Sequence, residues 1–127
     1  MRRFELSIEE GNYPIHSLSL LVGEDLVTCI WGGTQPHIGA VGIALPRPSI
    51  ADPNIVSSTS SVFTVLGHKE DELVKMVSER LSARLQKNVV VAAGVHWDHL
   101  EEDAIIEIMD NCRVLAEKVA DVIEREE

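Results

Sequence analysis

"EDELVKMVSERLSARLQKNVVVAAGVHW", Glu70 to Trp97, changes its repeat partway along. Leu73, Val77, Leu81 and Leu85 recur at every fourth position, with Val74 and Met76 beside them. That spacing lays one apolar stripe along an α-helix. Acids at Glu70, Asp71 and Glu72, with Arg84 and Lys87 near the other end, suit the helix dipole. From Asn88 the chain turns almost continuously apolar to Trp97. A run of that length and composition predicts a central strand buried on both faces.

The residues before this stretch read as strands. "RRFELSIEE" alternates Phe4, Leu6 and Ile8 with Glu5, Ser7 and Glu9, the period of a half-buried strand. Gly11-Asn12 marks a turn, and "YPIHSLSLLV" sets Ile15, Leu18 and Leu20 among polar residues. Gly23-Glu24-Asp25 is a second turn before the apolar "LVTCIW". Gly32 to His37 reads as a loop. "IGAVGIAL" follows as a strand made slender by Gly39, Ala40 and Gly42, which let another backbone or a ligand come close. Pro46, Pro48 and Pro53 predict a loop, and the end of "IVSSTSSVFTVL" a further strand. After Trp97, Ile105, Ile108, Met109, Cys112, Leu115, Val119 and Ile123 form the stripe of a long helix. Asp98 with Glu101 fits a capping box at its start. The expected fold is a single α+β domain over 1–127, a mostly antiparallel sheet of five to six strands with two helices packed on one face.

With 127 residues, 45% of them hydrophobic, the chain has enough apolar surface for a core without metal or disulfide staples. Cys29 and Cys112 both read as small buried hydrophobes. A formal charge of −10 argues against nucleic acid and anionic membrane surfaces as partners. A small anion is still compatible, because backbone N–H groups can hold one without any basic residue. "MRRFELSIEE" lacks the apolar core of a signal peptide, and no run is long enough to span a membrane, so a cytoplasmic protein is expected.

Four spots, Gly32 to His37, Gly67 to Glu70, His96 to His99 and the proline loop after the glycine-rich strand, fall where polar groups at strand ends and helix starts can converge on one border of a sheet. Gly32, Gly33 and Thr34 are either a backbone nest for an anion or a turn needing positive φ. His37, stiffened by Pro36, can bond a ligand, move a proton, bind metal, or simply hydrogen-bond backbone. His68 and Glu70 sit at a helix start, where capping and dipole roles compete with ligand contact. "HWDH" supplies His96 at a strand end, Trp97, the N-cap candidate Asp98, and His99. His37, His68 and His96 could together hold a metal, or line a polar pocket gripping a heterocycle. No nucleophile–base arrangement is legible.

"GGTQPHIGAVGIA", "LGHKEDELVKMVSERL" and "VVVAAGVHWDH" resemble, in that order, the LpdD-like prenylated-flavin chaperone family. The similarity runs from about Gly23 into the last helix, and its first block is the most specific. The resemblance implies a non-enzymatic carrier of prenylated FMN that serves a UbiD-type decarboxylase, the cofactor being made by a UbiX-type flavin prenyltransferase. It makes Gly32, Gly33 and Thr34 candidates for the flavin phosphate or a ring carbonyl. His37, His68, Glu70, His96 and Trp97 become candidates for contacts around the ring or ribityl chain. Gln35 stands where Asn is also expected, and Trp97 where a smaller aliphatic is usual. The alternatives are a metal-dependent enzyme built on the three histidines and a ligand-free structural subunit of a decarboxylase complex. A homo-oligomer is left open.

Overall fold

The computed structural model describes residues 2–65 and 70–126. Its elements run β1 (Arg3–Ile8), β2 (Ile15–Val22), β3 (Asp25–Gly33), β4 (Ala40–Pro48), β5 (Val56–Thr64), α1 (Glu70–Leu85), β6 (Val89–His96) and α2 (Glu102–Glu126). The strands form one sheet in the order β1-β2-β3-β6-β4-β5. Only β3 and β6 run parallel. The others pair antiparallel, β6 lying between β3 and β4 as the last strand made. Helix α1 packs on β4, β5 and β6, and α2 on β1 and β2 and against α1. The α+β class, six strands and two helices agree with the sequence reading. No described helix is long and apolar enough to cross a membrane.

Side-chain alternation sends Ile15, Leu26, Ile30, Val89 and Val91 beneath the helices, where they meet Leu73, Leu81, Leu115 and Ile123. Two small-residue features let the helices approach. Ser19 and Thr28 are fully buried and bond each other at 2.8 Å, so neither hydroxyl is left unsatisfied. Gly42 has no room for a Cβ, which would lie 2.9 Å from the Val74 carbonyl oxygen.

The opposite face is not covered by any described element. The register lines up one row straight across it, Glu5–Leu18–Cys29–Ala92–Val41–Phe63. The next row is Arg3–Leu20–Val27–Val90–Ile43–Ser61. In both rows the only charge is on the edge strand β1. In β2 the expected pattern is inverted: Ser17 and Ser19 face the helices, while Leu18 and Leu20 face away.

Three local expectations are corrected. Gly32 and Gly33 belong to β3 rather than to a loop, because parallel pairing continues to Gly32↔Val95 and Gly33↔His96. Pro46 and Pro48 lie within β4, not in a loop. Beyond Ala44 that strand has left β6 and keeps only β5 alongside, so a missing N–H is tolerated there. Strand β6 is central, yet Val90 and Ala92 are only half-buried, since helices cover one face alone.

Candidate functional site

At the end of the sheet where β3 and β6 finish and β4 begins, a cavity of about 700 Å³ opens. One wall is the segment Gln35–Ile38, a second is the start of α1 with Glu70 and Leu73, and a third is the end of β6 with Val95, His96 and Trp97. The first turns of α2 close it with Ile105, Ile108 and Met109. The lining is mainly apolar with a few polar groups, the composition of a small-molecule site.

Glycines allow the walls to meet. A Cβ on Gly94 would lie 1.8 Å from the His37 carbonyl oxygen, so only glycine lets the 35–38 segment cross over β6. A Cβ on Gly39 would lie 2.8 Å from the Glu70 carboxyl carbon. These two close approaches put His37 Nε2 3.2 Å from Glu70 Oε1. His37 Nδ1 lies 3.0 Å from the Gln35 carbonyl oxygen. Both ring nitrogens therefore face acceptors. They are satisfied together only when the ring and the carboxyl share two protons, a pair with no net charge. Glu70 is 5% exposed, and its Oε2 has no hydrogen-bond partner among the described residues. A buried carboxylate oxygen left in this way costs free energy until a donor reaches it. Glu107 Oε2 is a second such atom, beside Gly11 and away from the cavity lining.

His96 stands with its ring centroid 6.5 Å from that of His37, nearly perpendicular to it. Its Nε2 bonds Asp98 Oδ1 at 3.1 Å. Asp98 is therefore not the helix cap expected of it. The helix starts at Glu102, with the Ile105 N–H donating to the Glu101 carbonyl, and His99 precedes it at φ +59°. Trp97 packs edge-on against Tyr13 at 5.2 Å and lies over Gly32, where a Cβ would be 3.1 Å from the indole.

The structure thus brings His37, Glu70, His96 and Trp97 to one cavity. Gly32, Gly33 and Thr34 adjoin it without lining it. The Thr34 N–H donates to the His96 carbonyl at 2.8 Å, and Gly33, at φ +92°, leaves no space for a Cβ against that same carbonyl. His68 falls outside the described residues. Among those described, no group of three His, Cys, Asp or Glu is placed to hold a metal ion. The apolar wall of Leu73, Ile105, Ile108 and Met109 was read from the sequence only as core stripe. The signal for Glu70's place was Gly39, the residue just before β4, too small to keep a neighbour out.

A one-layer sheet with helices on one face and an end cavity lined by apolar and polar groups defines a small α+β domain with a pocket at one border. Residues 9–124 match the family model described as a prenylated flavin chaperone LpdD-like domain, and the chain belongs to that family. It is 25% identical over 97 residues to Protein LpdD of Lactiplantibacillus plantarum, covering 76% of this chain and 68% of that protein. The fold also resembles a chain from the crystal structure of a chaperone complex for yeast 20S proteasome assembly. The TM-score is 0.66 at 10% identity, over 98% of this chain and 96% of the other.

Proposed function

We propose that this protein is a non-enzymatic carrier that holds prenylated FMN in the end cavity and passes it to a UbiD-type decarboxylase, after a UbiX-type prenyltransferase has made it. Family membership supports a chaperone role. The observation that carries the choice of ligand is Glu70, buried at the cavity wall with one oxygen lacking a partner among the described residues. A flavin ring offers one N–H donor between two carbonyl acceptors. Glu70 Oε2 takes the N–H, while both ring nitrogens of His37 stay committed to Glu70 and Gln35. The hydrocarbon ring added by prenylation meets Leu73, Ile105, Ile108 and Met109, where burial of apolar area contributes roughly 25 cal/mol per Å². The His37–Glu70 pair, with no net charge, suits the ring rather than the phosphate. Thr34, exposed and next in sequence to the lining residue Gln35, is left for the phosphate end.

The test is a titration with prenylated FMN and with FMN, followed by Glu70→Gln. Prenylated FMN is expected to bind more tightly. Glu70→Gln, which keeps the shape and removes the charge, weakens it about tenfold or more, the size expected for a hydrogen bond to a charged group. Equal binding of the two flavins, or none, defeats the reading.

A further inference from the structure

The uncovered sheet face is built like an interior. We infer that it packs against the same face of a second copy of this chain, giving a two-fold dimer with the helices outermost. This is independent of what the end cavity holds.

Three observations carry it. The first is the inverted pattern of β2. A sheet with one solvated face puts its polar residues outward. Here the serines face in and the leucines face out. The near-continuous apolar run of β6 is likewise the pattern of a strand covered on both sides, yet the helices cover only one. The second is exposure. Phe63 is 72% exposed, Leu45 53% and Ile43 48%, all on this face. The third is charge. The chain carries 21 acids against 11 bases, but between β2 and β5 neither of the two central rows contains a charged residue.

These features select a copy of the same chain. An isologous contact matches an uncharged apolar face with its own equal. Packed sheets lie about 10 Å apart, and each helix layer adds about 10 Å more on its outer side. The acidic helices of the two copies are then about 30 Å apart, some three to four screening lengths at physiological salt, so their repulsion is small. The area is also sufficient. Six strands about 4.8 Å apart and about eight residues long give a face of roughly 750 Å². A stable interface uses about 800 Å² from each partner.

Sedimentation equilibrium over a wide concentration range tests the assembly, together with the reactivity of Cys29, which sits half-buried in the middle of the first row. The expected mass is twice the 14.0 kDa of the chain, with Cys29 slow to react with a thiol reagent. The double variant Ile43→Lys/Phe63→Glu alters two exposed side chains. It should sediment as a monomer with unchanged helix signal in circular dichroism and a Cys29 that reacts at least tenfold faster. Should that variant lose its helix signal, Leu45→Lys is read in its place. A wild-type chain that stays at 14.0 kDa at high micromolar concentration overturns the inference. A dimer that survives the substitutions with Cys29 reactivity unchanged also overturns it, because the copies are then joined elsewhere.

Discussion

Gly94 and Cys112 show how much can rest on one small side chain. Gly94 is set by the backbone that crosses it, since any Cβ there would strike the His37 carbonyl and open the cavity. Cys112 is set by burial. It is inaccessible on the buried side of α2, and burial pushes its thiol from an ordinary 9.0 up to about 12, against a small opposing pull from Arg113. Below pH 9 both folded and unfolded chains keep that proton, and stability is indifferent to it. Between about 9 and 12 the unfolded chain releases the proton while the folded one retains it, so stability falls as pH rises. Urea denaturation of wild type and Cys112→Ala as a function of pH should show this. The variant is less stable near neutrality by about 1 kcal/mol, and it loses up to one proton's worth of slope, about 1.4 kcal/mol per pH unit, above pH 9. Parallel pH curves for the two proteins would mean the thiol is not shielded in the fold. At this scale the shared location of His37, Glu70, His96 and Trp97 at one sheet border was legible in the sequence, because groups at strand ends and helix starts have few other places to go. It was silent about Leu73, Ile105, Ile108 and Met109, because a side chain lining a cavity and one filling a core obey the same apolar spacing.

The two helices are joined by more than their apolar stripes. Arg84 near the end of α1 reaches Glu117, Asp121 and Glu124 of α2, at 2.7 Å to Glu117 and 2.9 Å to Glu124. The Glu124 carboxylate first, then Asp121 and Glu117, hold the guanidinium charge beyond its ordinary range. The group is partly solvated, and each exposed pair contributes only about 0.2–1 kcal/mol. Removing the shared cation also leaves three acids on one side of α2. Arg84→Met should therefore cost about 1 kcal/mol in low salt and clearly less in high salt, read from urea midpoints. No loss in low salt would show that the apolar stripes alone seat α1 on α2. Both helices were legible because their periods are long and regular, and β6 because its apolar run is nearly unbroken. The start of α2 was not. Asp98 and Glu101 had the spacing of a capping box, but Asp98 bonds His96 and His99 takes a positive φ, so the chain turns once more before the helix begins. Pro46 and Pro48 misled in the opposite sense, since proline ends a strand only where both sides must pair.

For the whole molecule, the −10 charge and the cavity set the terms of capture. In the proposed carrier role, a flavin phosphate would be repelled at a distance and would have to be held by contacts that act only at close range. Raising ionic strength should then leave the affinity for prenylated FMN unchanged or improve it, measured by titration at low and high salt. A marked weakening would place attractive basic groups at the site and count against capture by the ring. Strand order has its own consequence for synthesis. Because β6 comes last yet lies between β3 and β4, a growing chain on the ribosome holds two separate ladders, β1-β2-β3 and β4-β5, each with a bare inner edge of unpaired N–H and C=O groups. Neither ladder can bind the other until the stretch ending at His96 has emerged. Translation halted before Val89 therefore yields two adhesive fragments of sheet, prone to clump with their neighbours, and not a smaller working protein.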